Sequence, residues 1–368
     1  MRYFRGFTLT ELLVSLVISS LVFIGIINVL IVSDETINET TQRAELQENA
    51  QLALNFLSQD IQMIGYWGPY TGHDLNLQAT AGGKPVRLLS ALNGNHKVAM
   101  KAVKNDCIRL PHLVNPHGTF VNSASENGFI TVWGAEKKRG DKLLNNCIKK
   151  AKPQSDVIQI KRMIAHHWSA SFAVQKQLMP SRFYMLAKSN EAIIFAGNDT
   201  IPLFYDDTQI NGRIGEYQHY VYYVENEHLP YAENRDVVIP VLKRKYLYKA
   251  EKSSRAKGML KAQPLVEGIE HIGFLYGIDS DADGNINSFY KAENLTWNDW
   301  QNANSRIKAI KIFVLARTIL AEPRIGDSVH LSYDLGSKVI RFKAGSFLAN
   351  AYRRLLLTKT VNIINHQG

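Results

Sequence analysis

Three groups of residues in this chain could do chemistry. The first is a single carboxylate, Glu11, at the head of Leu12–Val32, a run of twenty-one residues without a formal charge. An ionised carboxylate one turn into an apolar helix costs several kcal/mol unless it finds a partner, so such a residue is read as functional by default. Its chemistry would be ion pairing in a low-dielectric bundle, where breaking the pair leaves a buried charge worth several kcal/mol. The second group is Asp279, Asp281, Asp283, Gly284 and Asn285, with Asn287 two positions on. The D-x-D-x-D-G spacing lets alternate side chains converge on one cation while glycine permits the tight turn, as in calcium loops. Tyr290 stands where the bidentate Glu of such loops belongs, and Glu293 comes three residues later. Asp279, Asp281, Asp283, Asn285 and Asn287 are therefore expected to bind Ca2+ weakly, at about millimolar affinity as in extracellular modules, or with the cage completed from elsewhere in the fold. The competing reading is a solvated Asp/Asn/Gly turn between strands.

The third group is Cys107 and Cys147, the only cysteines. In an exported segment they are expected to pair, and closing a loop of about 40 residues would contribute roughly 3–4 kcal/mol. His112 and His117 lie near Cys107, but the C-x4-H-x4-H-x29-C spacing matches no compact zinc motif. No H-E-x-x-H, G-x-S-x-G, Walker A or Rossmann glycine pattern occurs, and nothing recruits a nucleophile or a paired acid, so the chain reads as a non-enzyme.

The elements that position these residues follow from hydropathy and breakers. At ~1.5 Å per residue Leu12–Val32 spans about 30 Å, the thickness of a bilayer's hydrocarbon core. Arg2 and Arg5 precede it, while Asp34, Glu35 and Glu39 follow it, which predicts one span with the N-terminus in the cytoplasm and the bulk of the chain across the membrane. A cleaved secretory signal would have a shorter apolar core and a small-x-small site, and Ile31-Val32-Ser33-Asp34 is a poor one. From Asp34 to Ile64 there is neither Pro nor Gly. Apolar residues at Ile37, Ala44, Ala50, Ala53, Leu54, Leu57, Ile61 and Ile64 recur at helical period, so the helix should continue unbroken until Gly65-Tyr66-Trp67-Gly68-Pro69 stops it.

Beyond this point strand-like segments dominate: 156–163, 183–186, 192–195, 218–224, 241–248, 270–277, 307–318 and 338–343. Several alternate apolar and polar residues as half-buried antiparallel strands do. The expected architecture is α+β, a long helix packed on an antiparallel β-sheet head with large loop insertions near residues 70–150. Composition agrees. Of 368 residues 45% are apolar and 21% charged, which excludes disorder as the global state; a mean hydropathy of −0.17 with one long apolar run excludes a multi-span protein. The net charge of +10 permits anionic partners and selects none. Basic runs occur at Lys137-Lys138-Arg139, Lys149-Lys150, Lys243-Arg244-Lys245 and 249–257; their commoner fate is a solvated strand face, and charge alone is no specific sign of nucleic acid.

The N-terminal pattern Arg5-Gly6-Phe7-Thr8-Leu9-Thr10-Glu11-Leu12-Leu13-Val14 resembles the class III signal of type IV prepilins and type II secretion pseudopilins. The resemblance implies cleavage by a prepilin peptidase between Gly6 and Phe7, N-methylation of Phe7, and a role for Glu11 in setting register between staggered helices. Arg43, Glu48, Asn49, Asp60, Ile61, Gly65 and Tyr66 resemble the corresponding segment of PilW-type minor pilins, although Gln62 stands where that family usually has Arg. Two later stretches are similar to the same family: Pro264–Glu270 leading into the Tyr276-Gly277-Ile278-Asp279 loop, Trp297 and Arg306–Arg317, and then Arg353-Arg354 with Thr360–Asn365. Residues 70–260 carry no such likeness.

The likeness implies this organisation: 1–6 leader, 7–32 transmembrane and filament-core helix, 33–64 amphipathic continuation, 65–368 β-rich head. It further implies a structural minor pilin that helps prime type IV pilus assembly and sits at or near the tip. Expected partners are other minor pilins, the major pilin, the inner-membrane assembly platform and a tip adhesin. The location implied is the inner membrane with the head in the periplasm, then the surface pilus. The rival readings are a J-type pseudopilin of type II secretion, which shares the architecture, and a tip subunit that binds DNA or an adhesin.

Overall fold

The computed structural model describes residues 8–70, 87–88, 119, 130–141, 143–169, 171, 173–189, 192–203, 208–209, 211–231, 235–248, 259–301, 306–321, 332–343, 346 and 351–364. One helix dominates: α1 (Leu9–Gln62) runs 54 residues without interruption, two residues short of the expected end at Ile64. Every described side chain from Leu9 to Val32 is exposed, an apolar surface that none of the described residues covers. It is long and apolar enough to cross a membrane. Further along, Leu46, Ala50, Ala53, Leu54, Leu57 and Ile61 are buried, the three-and-four spacing that puts one helix face on a core. The helix stops where Gly65 adopts φ 69°, a left-handed conformation that glycine takes without steric cost. There the Gly65 N–H donates to the Lys161 carbonyl at 3.1 Å.

The head is built from β1 (Arg87–Leu88), β2 (Val132–Glu136), β3 (Asp156–Ser169), β4 (Phe183–Ala187), β5 (Ala192–Ala196), β6 (Arg213–Tyr231), β7 (Arg235–Leu247), β8 (Met259–Glu267), β9 (Ile269–Ile278), β10 (Ser288–Lys291), β11 (Ile307–Arg317), β12 (Ser332–Asp334), β13 (Val339–Arg341) and β14 (Arg354–Asn362), with a short helix α2 (Trp297–Gln301). All eight strand-like segments overlap these strands, the last, 338–343, only through Val339–Arg341. They form more than one sheet. An eight-stranded sheet runs β1-β5-β4-β6-β3-β2 and continues from β6 through β7 to β8; a four-stranded sheet runs β10-β9-β11-β14; β12 and β13 form a small hairpin. Pairing is antiparallel throughout apart from the two-residue β1–β5 contact. α1 lies against β8, β9, β11 and β14, and its apolar face joins both large sheets in one core. Of the loop insertions expected near residues 70–150, most lie outside the described residues.

Backbone accounting explains how the two large sheets join. β10 covers β9 only from Leu275 onward, so the N–H groups of Ile272 and Phe274 need other acceptors. The residues leading into β3 supply them: the Ser155 hydroxyl at 3.1 Å and the Asp156 carboxylate at 2.8 Å. Burial raises the Asp156 pKa, opposed by Lys338, whose Nζ lies 2.5 Å away.

Candidate functional site

The helix N-terminus is a capping box. The Thr8 N–H and hydroxyl donate to Glu11 Oε2 at 2.8 and 2.9 Å, and the Glu11 N–H donates to Thr8 Oγ1 at 3.3 Å. Glu11 thus has a partner inside its own helix. The Thr-x-x-Glu spacing satisfies two otherwise orphaned donors reciprocally, and the positive end of the helix dipole favours a carboxylate there. Gly6 and Phe7, the expected cleavage pair, lie outside the described residues.

At the other end of α1, Asp60 fastens the helix to the head. It is 5% exposed, accepts from the Arg162 guanidinium and the Tyr222 hydroxyl, and has Arg244 Nη1 at 3.6 Å. Burial, reinforced by Asp60, pushes the Tyr222 hydroxyl well above its ordinary pKa, so it stays a neutral donor. Arg244 also stacks over the Tyr220 ring at 4.3 Å. Higher on the helix, Glu39 pairs with Arg43 at 2.6 Å and with Arg353 at 2.9 Å, tying the rod to the chain entering β14.

These contacts consume a basic run. Lys243 bonds Glu225 and Glu227 at 3.2 and 2.6 Å, Arg244 serves Asp60, and Lys245 Nζ donates to the Cys147 carbonyl at 2.6 Å. The expected solvated strand face is thus an internally neutralised one. Lys137 is buried, with Nζ donating to the Asp141 carbonyl at 2.6 Å. Lys149 and Lys150 are exposed; residues 249–257 lie outside the described residues. Among the described residues no cysteine is free; Cys147 is partly buried against the core. Cys107 lies outside the described residues, so its pairing with Cys147 is carried forward as a proposal.

The acidic loop joins β9 to β10. Carboxylate oxygens of Asp279, Asp281 and Asp283 lie within 4.8 Å of one another, the first residue buried and the others exposed. Asp279 Oδ2 accepts the Gly284 N–H at 2.9 Å and has Lys308 Nζ at 3.6 Å, whereas Asp279 Oδ1 is buried without a hydrogen bond. Of the five expected ligands the structure brings together the three carboxylates. The two amides brace the loop instead. Asn285 donates through N and Nδ2 to Asp283 at 2.7 and 3.1 Å, which holds the Asp283 carboxyl below its ordinary pKa. Asn287 donates to Asp281 at 3.1 Å, and its oxygen accepts from the Ser280 N–H at 2.7 Å. Glu293 does not close the loop, lying 3.6 Å from Lys138. The arrangement offers a hard cation three carboxylates, and Lys308, which the sequence reading did not single out, competes for one of them.

Residues 221–365 match the family described as Type IV Pilus-assembly protein W, a span containing the whole four-stranded sheet and the acidic loop. Residues 1–27 match the prokaryotic N-terminal methylation motif. No curated protein and no solved structure is significantly similar to the chain. Together the two matches support a structural part in pilus assembly for a membrane-anchored subunit rather than catalysis.

Proposed function

We propose that this chain, a PilW family domain at residues 221–365 carried behind a prepilin-type N-terminus, is a minor pilin that helps prime type IV pilus assembly and ends at or near the tip. Peptidase cleavage between Gly6 and Phe7 releases the six-residue leader and exposes the Phe7 amine for methylation. The Leu9–Val32 segment is held in the inner membrane with the head in the periplasm, then drawn into the filament beside the equivalent helices of other minor pilins and the major pilin. The head would meet those neighbours, the assembly platform and a tip adhesin. A Cys107–Cys147 disulfide would staple the head, and Asp279, Asp281 and Asp283 would hold Ca2+.

One observation carries this reading. A single continuous helix is apolar and fully exposed over one half and locked into a folded head over the other, with an acid at its free end. Such a rod is costly in water and is satisfied by lipid or by similar rods. Glu11 then has two tasks, capping its own helix and neutralising a neighbour's terminal amine, and two variants separate them. Glu11→Gln keeps the capping box and loses the charge; Glu11→Ala loses both. With immunoblotting of sheared pili as the readout, both variants are expected to insert in the membrane and to fall severalfold in incorporation. Normal incorporation of Glu11→Gln would remove the charge from the account.

A further inference from the structure

We infer that Lys308 is a built-in counter-cation of the acidic loop, exchanging with a divalent ion and setting the affinity of the site. The inference rests on the proposed cation reading of that loop. Its first support is Asp279, 3% exposed, with one carboxylate oxygen buried and lacking any hydrogen bond. A carboxylate oxygen so placed carries a desolvation cost that a hydrogen bond or a cation would relieve, and the oxygens of Asp281 and Asp283 stand within 4.8 Å of the same residue.

The second support is how Lys308 gets there. The β9–β11 ladder pairs Ile307 with Ile278 and Ala309 with Gly277, so two steps along β11 answer one along β9. Lys308 is the extra residue of a β-bulge, a device that re-aims a side chain from the sheet. Its backbone is held elsewhere, its carbonyl accepting the Ile363 N–H at 2.9 Å, while Nζ reaches 3.6 Å from Asp279 Oδ2. The Asp279 N–H in turn donates to the Arg306 carbonyl at 2.8 Å, so loop and bulge are fixed to one another. A Ca2+ ion sits about 2.3–2.6 Å from its ligand oxygens, which would put it roughly 5 Å from the ammonium. Two positive charges on one carboxylate repel: a unit charge about 5 Å from a divalent ion weakens binding roughly tenfold even at the dielectric of water. With no ion bound, Lys308 holds the loop; with the ion bound, it must turn away.

The test is calorimetric titration of CaCl2 into the full-length chain in detergent micelles, with MgCl2 as a competitor and near-ultraviolet circular dichroism as the check on folding. Wild type is expected to bind at about millimolar concentration, Asp281→Asn to bind severalfold more weakly, and Lys308→Met to bind roughly tenfold more tightly. Lys308→Gln, which keeps a polar tip beside Asp279, should tighten binding in the same direction. If wild type binds and Asp281→Asn weakens it while both Lys308 variants keep wild-type affinity, the inference fails and the cation reading survives. If neither wild type nor the Lys308 variants bind calcium, the cation reading fails and takes the inference with it.

Discussion

Replacing Asp60 with alanine is expected to loosen the junction between rod and head, and its size can be worked from the contacts. The Asp60 side chain is 7% exposed and Arg162's 13%, so the pair is largely desolvated. Removing one member of such a pair costs about 3–5 kcal/mol, because the other charge stays buried without compensation. Here the loss is compounded. Arg162 Nε and Arg244 Nε already lack hydrogen-bond partners, and the Tyr222 hydroxyl, fully buried, would lose its acceptor. The groups act as one cluster, so the penalties overlap rather than add, and about 4 kcal/mol is expected for Asp60→Ala. At about 2 °C per kcal/mol for a large domain, the melting temperature of the full chain, followed by tryptophan fluorescence in detergent, should fall by roughly 8 °C. Tyr222→Phe removes one hydrogen bond while leaving Asp60 its guanidinium partners, and should cost about 1 kcal/mol. A melting temperature for Asp60→Ala within 2 °C of wild type, or a Tyr222→Phe variant as unstable as Asp60→Ala, would refute the reasoning.

Two further outcomes follow from the seams of the head. Lys152 lies 3.7 Å from Glu270, and burial, with help from Arg317 and Arg354, pushes its pKa down to about 8. The unfolded chain keeps that proton up to about 10.5 while the native state sheds it near 8, so stability should rise with pH across this window by up to about 3 kcal/mol. Comparing wild type with Lys152→Met at pH 7.5 and 9.5 isolates the effect: the gap should favour the variant at the lower pH and shrink at the higher, and a gap independent of pH would contradict the assignment. Separately, a Cβ on Gly134 of β2 would collide with the hydroxyl of Tyr276, a fully buried ring packed on Trp300 at 5.0 Å. Gly134→Ala should therefore lower stability by about 1–3 kcal/mol, measurable as a lower melting temperature, and Gly134→Ala combined with Tyr276→Phe should recover part of the loss.

Much of this was legible in the sequence, for identifiable reasons. The helix could be read because Leu12–Val32 is continuous and the Leu46–Ile61 stripe has one period, both local properties. The strands could be read for the same reason. What escaped were partners distant along the chain. Asp60 meets residues 102 and 162 positions away, and no local pattern announces that Lys243-Arg244-Lys245 will face Glu225, Glu227 and Asp60. The division into two sheets was equally hidden, because it depends on where β10 stops covering β9. The acidic loop was half legible: D-x-D-x-D places the carboxylates correctly, but the two asparagines turned inward to brace it, and the competing Lys308 comes from a bulge that pairing alone creates. One signal was local and overlooked. Thr8-Leu9-Thr10-Glu11 has capping-box spacing, which foretells that Glu11 finds a partner before any neighbouring subunit arrives.

The account depends most on the N-terminus of the native protein. Intact-mass and N-terminal peptide mass spectrometry on the chain recovered from piliated cells measures it directly. A first residue of N-methylated Phe7, with the six residues before it gone, is the predicted result. A native chain that still begins at Met1 in cells assembling normal pili would contradict the central claim that this helix is cut and then packed among others like it.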